Sequence, residues 1–89
     1  MPIAPLYLAP SRAEIRITFS REWEEFRVYP SETRDRNVGA FCSDALEALE
    51  TAEFIAAREG RIIAISSPAR SRIEKARRDR QVARLEAAL

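Results

Sequence analysis

Two short segments in which apolar and polar residues alternate constrain the fold of this chain most strongly. They are AEIRITFS (13–20) and EFRVYP (25–30), and only a few residues separate them. Alternation with period two is typical of a β-strand that buries one face and exposes the other. The apolar positions are Ile15, Ile17, Phe19, Phe26 and Val28. The short connection predicts that the two strands form an antiparallel hairpin.

The register of this hairpin stays open. A two-residue loop at Arg21-Glu22 places Ile17 opposite Phe26, whereas a four-residue loop places Phe19 opposite Phe26. Both arrangements keep the apolar side chains on one face, so the alternation does not choose between them. Trp23 falls in the turn or on the polar face, where it either covers the sheet edge or is an exposed binding anchor.

The chain after the hairpin alternates between strand and helix patterns. NVGAFCS (37–43) predicts a third short strand, in which Gly39 marks a bulge. A helix then begins at Ser43 or Asp44 and ends at Gly60, a residue suited to a left-handed cap. RIIAIS (61–66) predicts a last strand. The final helix, 68–88, has Ser67 as its N-cap and Pro68 as its first residue.

The element order is therefore β-β-β-α-β-α, which predicts an α+β fold. We expect a three- to four-stranded, mainly antiparallel sheet with two helices. The length of 89 residues predicts a single domain, 1–89. Three prolines among apolar residues predict an extended arm over residues 1–11.

Charge is distributed unevenly along the chain. Residues 1–57 carry a net charge of −4, and residues 58–89 carry +5. An acid occupies every third position of the first helix, at Asp44, Glu47, Glu50 and Glu53. Such an acidic row, with Trp23 and Tyr29, is a candidate surface for a protein partner. The apolar stripe of the same helix, which we expect to pack on the sheet, is Ala45, Ala48, Leu49, Ala52, Ile55 and Ala56.

The C-terminal segment 68–89, which contains the final helix, is basic and has only weak apolar stripes. One stripe consists of Ile73, Ala76, Ala83 and Ala87, and the other of Val82, Leu85 and Leu89. The arginines are candidate phosphate contacts, although they circle the helix and acids interrupt them. They are Arg70, Arg72, Arg77, Arg78, Arg80 and Arg84. A third hypothesis is that the acidic first helix pairs with the basic final helix, within one chain or across a homodimer.

Composition argues against several classes of protein. The chain has no histidine and one cysteine, Cys42, so it predicts no metal site, no cofactor and no enzyme. Cys42 precedes a helix N-terminus, but Asp44 opposes thiolate formation there, and a small core residue is the simpler interpretation. No apolar run approaches the length of a membrane span, and the N-terminus lacks a cationic leader, which predicts a cytoplasmic protein.

The segment ITFSREWEEFRVYP and the later AFCSDALEALETA resemble a pattern in small proteins of phages and prophages. In that pattern, a hairpin with a W-x-E-aromatic-x-V core leads through a third strand into a helix with an opening Asp-Ala and a Thr-Ala pair. The matching residues are Trp23, Glu25, Phe26, Val28, Asp44, Ala45, Thr51 and Ala52. The resemblance covers residues 15–53, and the basic C-terminal helix departs from it. It implies a mobile-element origin, and such proteins include anti-CRISPR inhibitors.

The resulting functional hypothesis is a non-enzymatic phage or mobile-element protein of the host cytoplasm. It would bind and inhibit a host protein complex, with a CRISPR surveillance complex as the specific candidate. One alternative is a nucleic-acid-binding accessory protein that uses the arginine-rich helix. Another is a structural homodimer that buries Val82, Leu85 and Leu89 between its chains.

Overall fold

The computed structural model describes residues 14–33, 35 and 37–88, and their order of elements is β-β-β-α-β-α. The predicted arm (1–11) and Leu89 lie outside the described residues. The strands are β1 (Ile15–Ser20), β2 (Glu25–Pro30), β3 (Ala40–Cys42) and β4 (Ile63–Ile65), and the helices are α1 (Ala45–Glu59) and α2 (Ser67–Ala88). The predicted α+β fold is confirmed. Strands β3 and β4 are shorter than predicted, and Val38 lies in the loop before β3.

The four strands form one mixed sheet in the order β3-β2-β1-β4. The pairs β1–β2 and β2–β3 are antiparallel, whereas β4 runs parallel to β1. Phe19 lies opposite Phe26, and a four-residue turn (21–24) joins the two strands, so the four-residue alternative is the observed one. In this turn, Glu24 has a φ of 51°, and the Ser20 hydroxyl accepts a hydrogen bond from the Trp23 amide (3.3 Å).

The core lies between one face of the sheet and the two helices. This inner face presents the predicted alternating side chains, including the fully buried Ile15 and Ile17. They form one cluster with α1 and α2, in which α1 contributes mainly alanines such as Ala48 and Ala52. Small side chains allow the helix backbone to approach the sheet closely. Burial of each isoleucine contributes about 1.5–3 kcal/mol to stability.

Both ends of α1 have the predicted caps. The Asp44 carboxylate accepts a hydrogen bond from the Glu47 amide (2.9 Å), which satisfies a free donor of the first turn. Gly60 adopts the left-handed conformation with a φ of 67°, and the Arg61 amide donates to the Ala56 carbonyl (2.9 Å). Local sequence therefore sets both ends of this helix.

The N-terminus of α2 differs from the prediction by one residue. The cap is Ser66 rather than Ser67, because the Ser66 carbonyl accepts from the Arg70 amide (2.8 Å) and its hydroxyl accepts from the Ala69 amide (3.4 Å). Pro68 consequently occupies the second helical position. Two adjacent serines both suit a cap, and β4 fixes the choice, since the Ser66 amide still donates to the Ile17 carbonyl of the sheet (3.0 Å).

Helix α2 has two halves with different surroundings. In the docked half (67–76), Ala69 and Ile73 are buried and Ala76 is partly buried. In the free half (77–88), every residue is exposed. The predicted stripe through Ala83 and Ala87 is therefore buried only as far as Ala76. Neither helix of the described chain has an apolar stretch sufficient to cross a membrane.

Two arginines fix the loop between β2 and β3. Arg61 forms a two-pronged ion pair with Glu32 (2.8 and 3.0 Å) and contacts Glu59 through Nε (2.8 Å). The hydrogen bonds from Arg61 lower the pKa of the Glu32 carboxyl below its ordinary value of 4.5. Arg27 donates to the carbonyls of Val38 (2.8 and 3.0 Å) and Asp35 (2.7 Å). The loop is thereby tied to both β2 and the start of the segment leading to β4.

Candidate binding surfaces

The acidic row does not lie on one surface. Asp44 is engaged as the cap of α1, and it lies with Glu47 close enough to Cys42 to affect the thiol. Glu50 and Glu53 instead face the free half of α2. Three-residue steps rotate around a helix by about −60° each, so the row changes sides as it advances. Its predicted role as a partner surface stays a prediction, and the geometry divides the row into two pairs.

Cys42 belongs to the core. Its side chain is buried on the inner face of the sheet, and it is part of the apolar cluster. Burial raises the pKa of the thiol, and the charges of Glu47 and Asp44 raise it further, whereas a hydrogen bond with Thr51 acts in the opposite direction. A buried thiol with a raised pKa remains protonated at neutral pH and is a poor nucleophile.

The arginines of α2 divide into groups with different environments. Arg72 is half-buried, with its guanidinium 3.9 Å from the centre of the Phe19 ring and a hydrogen bond to the Pro68 carbonyl (3.1 Å). Its long side chain therefore covers the edge of the core. Arg70 and Arg78 are exposed. The six candidate phosphate contacts do not form one continuous face, as the helical positions predicted.

Three of these arginines do share a face. Arg77, Arg80 and Arg84 follow an i, i+3, i+7 spacing, and they line a cleft of about 540 Å³ between α1 and the free half of α2. We call these arginines the basic wall, and Glu50 with Glu53 on α1 the acidic wall. The apolar lining of the cleft consists of Leu46, Leu49 and Leu85. Within the described chain, no ion pair shorter than 4.0 Å joins the two walls.

The second surface is the side of the sheet opposite the core. This outer face carries the residues that alternate with the buried ones along each strand, most of them polar, together with Phe41. No described helix packs on it. Arg27 lies between Thr18 and Phe41 on neighbouring strands, and its guanidinium is 3.8 Å from the centre of the Tyr29 ring. Hydrogen bonds to the loop hold this arginine, and stacking holds the tyrosine beneath it.

Two large apolar side chains are exposed beside this arginine. Trp23 is 71% exposed in the β1–β2 turn, and Phe41 is 48% exposed on β3. Both line one shallow groove of about 690 Å³, which also contains Arg27. Trp23 is thus an exposed residue rather than a cover for the sheet edge. Exposed aromatic residues clustered with an arginine are typical of protein-binding surfaces.

The structure therefore separates the predicted contact residues. Tyr29 lies on the outer face and Trp23 beside it, whereas the acidic row runs from the N-cap of α1 along that helix, which covers the inner face. Phe41 and Arg27 were not among the predicted contacts. Phe41 alternates with Ala40 and Cys42 in the β3 segment, and Arg27 is two residues before Tyr29 in β2, so the signal that places both on the outer face was present in the sequence.

Comparison with protein-family models, curated proteins and solved structures finds no match to this chain. Any functional assignment consequently rests on the geometry of these two surfaces and on the residue pattern of the sequence.

Proposed function

We propose that this chain is a non-enzymatic binding protein that uses the outer face of its sheet to dock on another protein. The observation that supports this most directly is the exposed pair Trp23 and Phe41, which border one groove. Exposure of a tryptophan to water forgoes the stabilisation that burial in the core would give it. A partner that covers both rings would recover that stabilisation.

The groove, together with Tyr29 stacked against its Arg27, has the residue types that dominate protein interfaces. Tryptophan, tyrosine and arginine are enriched among residues whose truncation costs about 2 kcal/mol or more of binding free energy. Arg27 and Tyr29 are already held by hydrogen bonds and stacking, so little side-chain freedom is lost on binding. Glu22, Glu25 and Asn37 provide a polar rim around the aromatic centre.

The partner we propose is a host protein complex, with inhibition as the consequence of binding. This partner class rests on the resemblance of residues 15–53 to phage and prophage proteins. Trp23 belongs both to the residues that carry this resemblance and to the exposed groove. Because anti-CRISPR inhibitors occur among small proteins of that origin, a CRISPR surveillance complex is the first partner to test.

The experiment is a binding titration of the purified chain against such a surveillance complex, with three variants. We expect Trp23→Ala and Phe41→Ala each to weaken binding about tenfold or more, since each removes an aromatic contact at the centre of the interface. Phe54→Ala is the matched control, because Phe54 is 65% exposed on α1, away from the outer face. If all three variants bind like the original chain, the outer-face proposal is wrong.

The same titration compares the outer face with the acidic row. Reversal of Glu47, Glu50 and Glu53 to lysine leaves the aromatic groove intact and inverts the charge of α1. A loss of affinity in this triple variant alone would transfer the interface to α1. A complex that disappears with nuclease or high salt would instead support the arginine-rich helix as a nucleic-acid contact.

A further inference from the structure

We propose that the cleft between α1 and the free half of α2 is a homodimer interface. A second copy of this chain packs on it through the same face. The proposal concerns the side of the molecule opposite the outer face, so it is independent of the function proposed above. The homodimer considered from the sequence buries Val82, Leu85 and Leu89, whereas this interface includes Leu85 but not Val82. Leu89 lies outside the described residues.

The free half of α2 has little support within the described chain. The apolar residues that hold α2 on the body end at Ala76, yet the helix continues for about three more turns. Short helices without packing are marginal in water, and most helical stability in proteins comes from an apolar face that packs. Leu85, which is 62% exposed, offers such a face toward the cleft.

The charges of the cleft indicate what kind of partner fits it. The acidic wall is on α1 and the basic wall on α2, so the two signs lie on opposite sides of the cleft. Among the described residues, no close ion pair joins them. A surface that carries both signs on opposite sides is complementary to itself after a two-fold rotation. The acidic wall of each protomer then meets the basic wall of its partner, which is the requirement of a symmetric dimer interface.

Partners with charge of one sign fit this cleft less well. A polyanion attracted by Arg80 and Arg84 would meet the carboxylates of Glu50 and Glu53 across the lining. A basic partner would meet the arginines in the same way. Like charges brought together in an interface cost binding free energy, so only a partner that also carries both signs satisfies both walls.

The first test is the molar mass in solution, measured by light scattering or sedimentation over a concentration series that reaches the millimolar range. We expect the mass to approach that of two chains. Leu85→Asp should weaken the dimer about tenfold or more, because it places a carboxylate in the apolar lining. Val82→Asp is the matched control, since Val82 is similarly exposed (53%) on the same half of α2 but does not line the cleft.

The second test exchanges the charges of the two walls. One variant carries Glu50→Arg and Glu53→Arg, and the other carries Arg77→Glu, Arg80→Glu and Arg84→Glu. Each variant alone has two walls of the same sign, so each should be monomeric. Mixed together, the two variants should form a dimer, because every wall again meets its opposite.

Circular dichroism of each variant, compared with the original chain, establishes that the fold is retained. A monomer at every concentration overturns the proposal, and retention of that monomer on an acidic polymer would assign the basic wall to a polyanionic partner. A dimer that is indifferent to Leu85→Asp and to both charge reversals also overturns it, since the interface would then lie elsewhere.

Discussion

The two faces of the sheet are built from alternating residues of the same strands, yet they have opposite environments. Ile17 is fully buried beneath the helices, whereas Thr18, the next residue along β1, lies on the outer face beside Arg27. The inner face consists of apolar side chains, including the Cys42 thiol, that are covered by the helices of the same chain. The outer face combines polar side chains with two exposed aromatic rings. Adjacent residues of one strand therefore serve different roles: one stabilises the core, and the next belongs to the proposed binding face.

The largest expected effect comes from the direct comparison of these two neighbours. Ile17→Ala should destabilise the fold by about 2–5 kcal/mol, because it removes buried methyl groups and leaves a cavity. Thr18→Ala is the matched change on the outer face and should alter stability little. Chemical denaturation of both variants gives the two free energies of unfolding. Equal losses would show that the outer face is as tightly packed as the inner one.

An intermediate effect is expected at Gly39, where a substitution should change both the stability of the fold and the shape of the groove. Gly39 has a φ of +121°, and an added Cβ would lie 2.6 Å from the Val28 carbonyl oxygen and 2.9 Å from the Tyr29 Cβ. Gly39→Ala should therefore cost about 1–3 kcal/mol of stability and displace β3, with Phe41, from the groove. Thermal unfolding together with binding of the surveillance complex measures both losses. A variant with unchanged melting temperature would contradict this explanation.

The smallest effect concerns the ion pair that holds the loop beside the outer face. The pKa of Glu32 is lowered in the folded state, so the folded chain binds fewer protons than the unfolded one, and stability falls as the solution becomes acidic. We expect Glu32→Gln to be less stable than the original chain above about pH 5. The difference should disappear as the pH falls through and below the ordinary value of 4.5.

Denaturation at several pH values measures this difference. Glu22→Gln is the control, because Glu22 is exposed in the turn and forms no ion pair within the described chain. A loss that is independent of pH in the Glu32 variant would contradict the ionic explanation.

Much of the inner face could be predicted from the sequence, because alternation and helical periodicity directly report which side chains are buried. Ile15, Ile17, Phe26 and Val28 are all in the core as expected. The register could not be predicted, since period two is satisfied by either loop length. The observed register depends on a four-residue turn in which Glu24 has a positive φ, and a glutamate gives no indication of that conformation in the sequence.

The binding surfaces were only partly predictable, for a different reason. Trp23 and Tyr29 were identified by residue type, but grouping them with the acidic row required knowledge of which side of the sheet α1 covers. The cleft likewise depends on where the free half of α2 points relative to α1. Long-range placement of this kind is set by packing between distant segments, and neither periodicity nor spacing encodes it directly.

The parallel pairing of β4 with β1 has a consequence for how the chain assembles. Ile15 lies opposite Pro30 on one side and opposite Ile63 on the other, so the second partner is 48 positions away in the sequence. Closing the longer loop costs about 1 kcal/mol more in chain entropy than closing the hairpin. The hairpin is thus a local structure, whereas we expect β4 to pair with β1 only after the chain has returned across the sheet through α1. Strand β1 therefore takes part in one pairing of low entropic cost, with β2, and one of higher entropic cost, with β4.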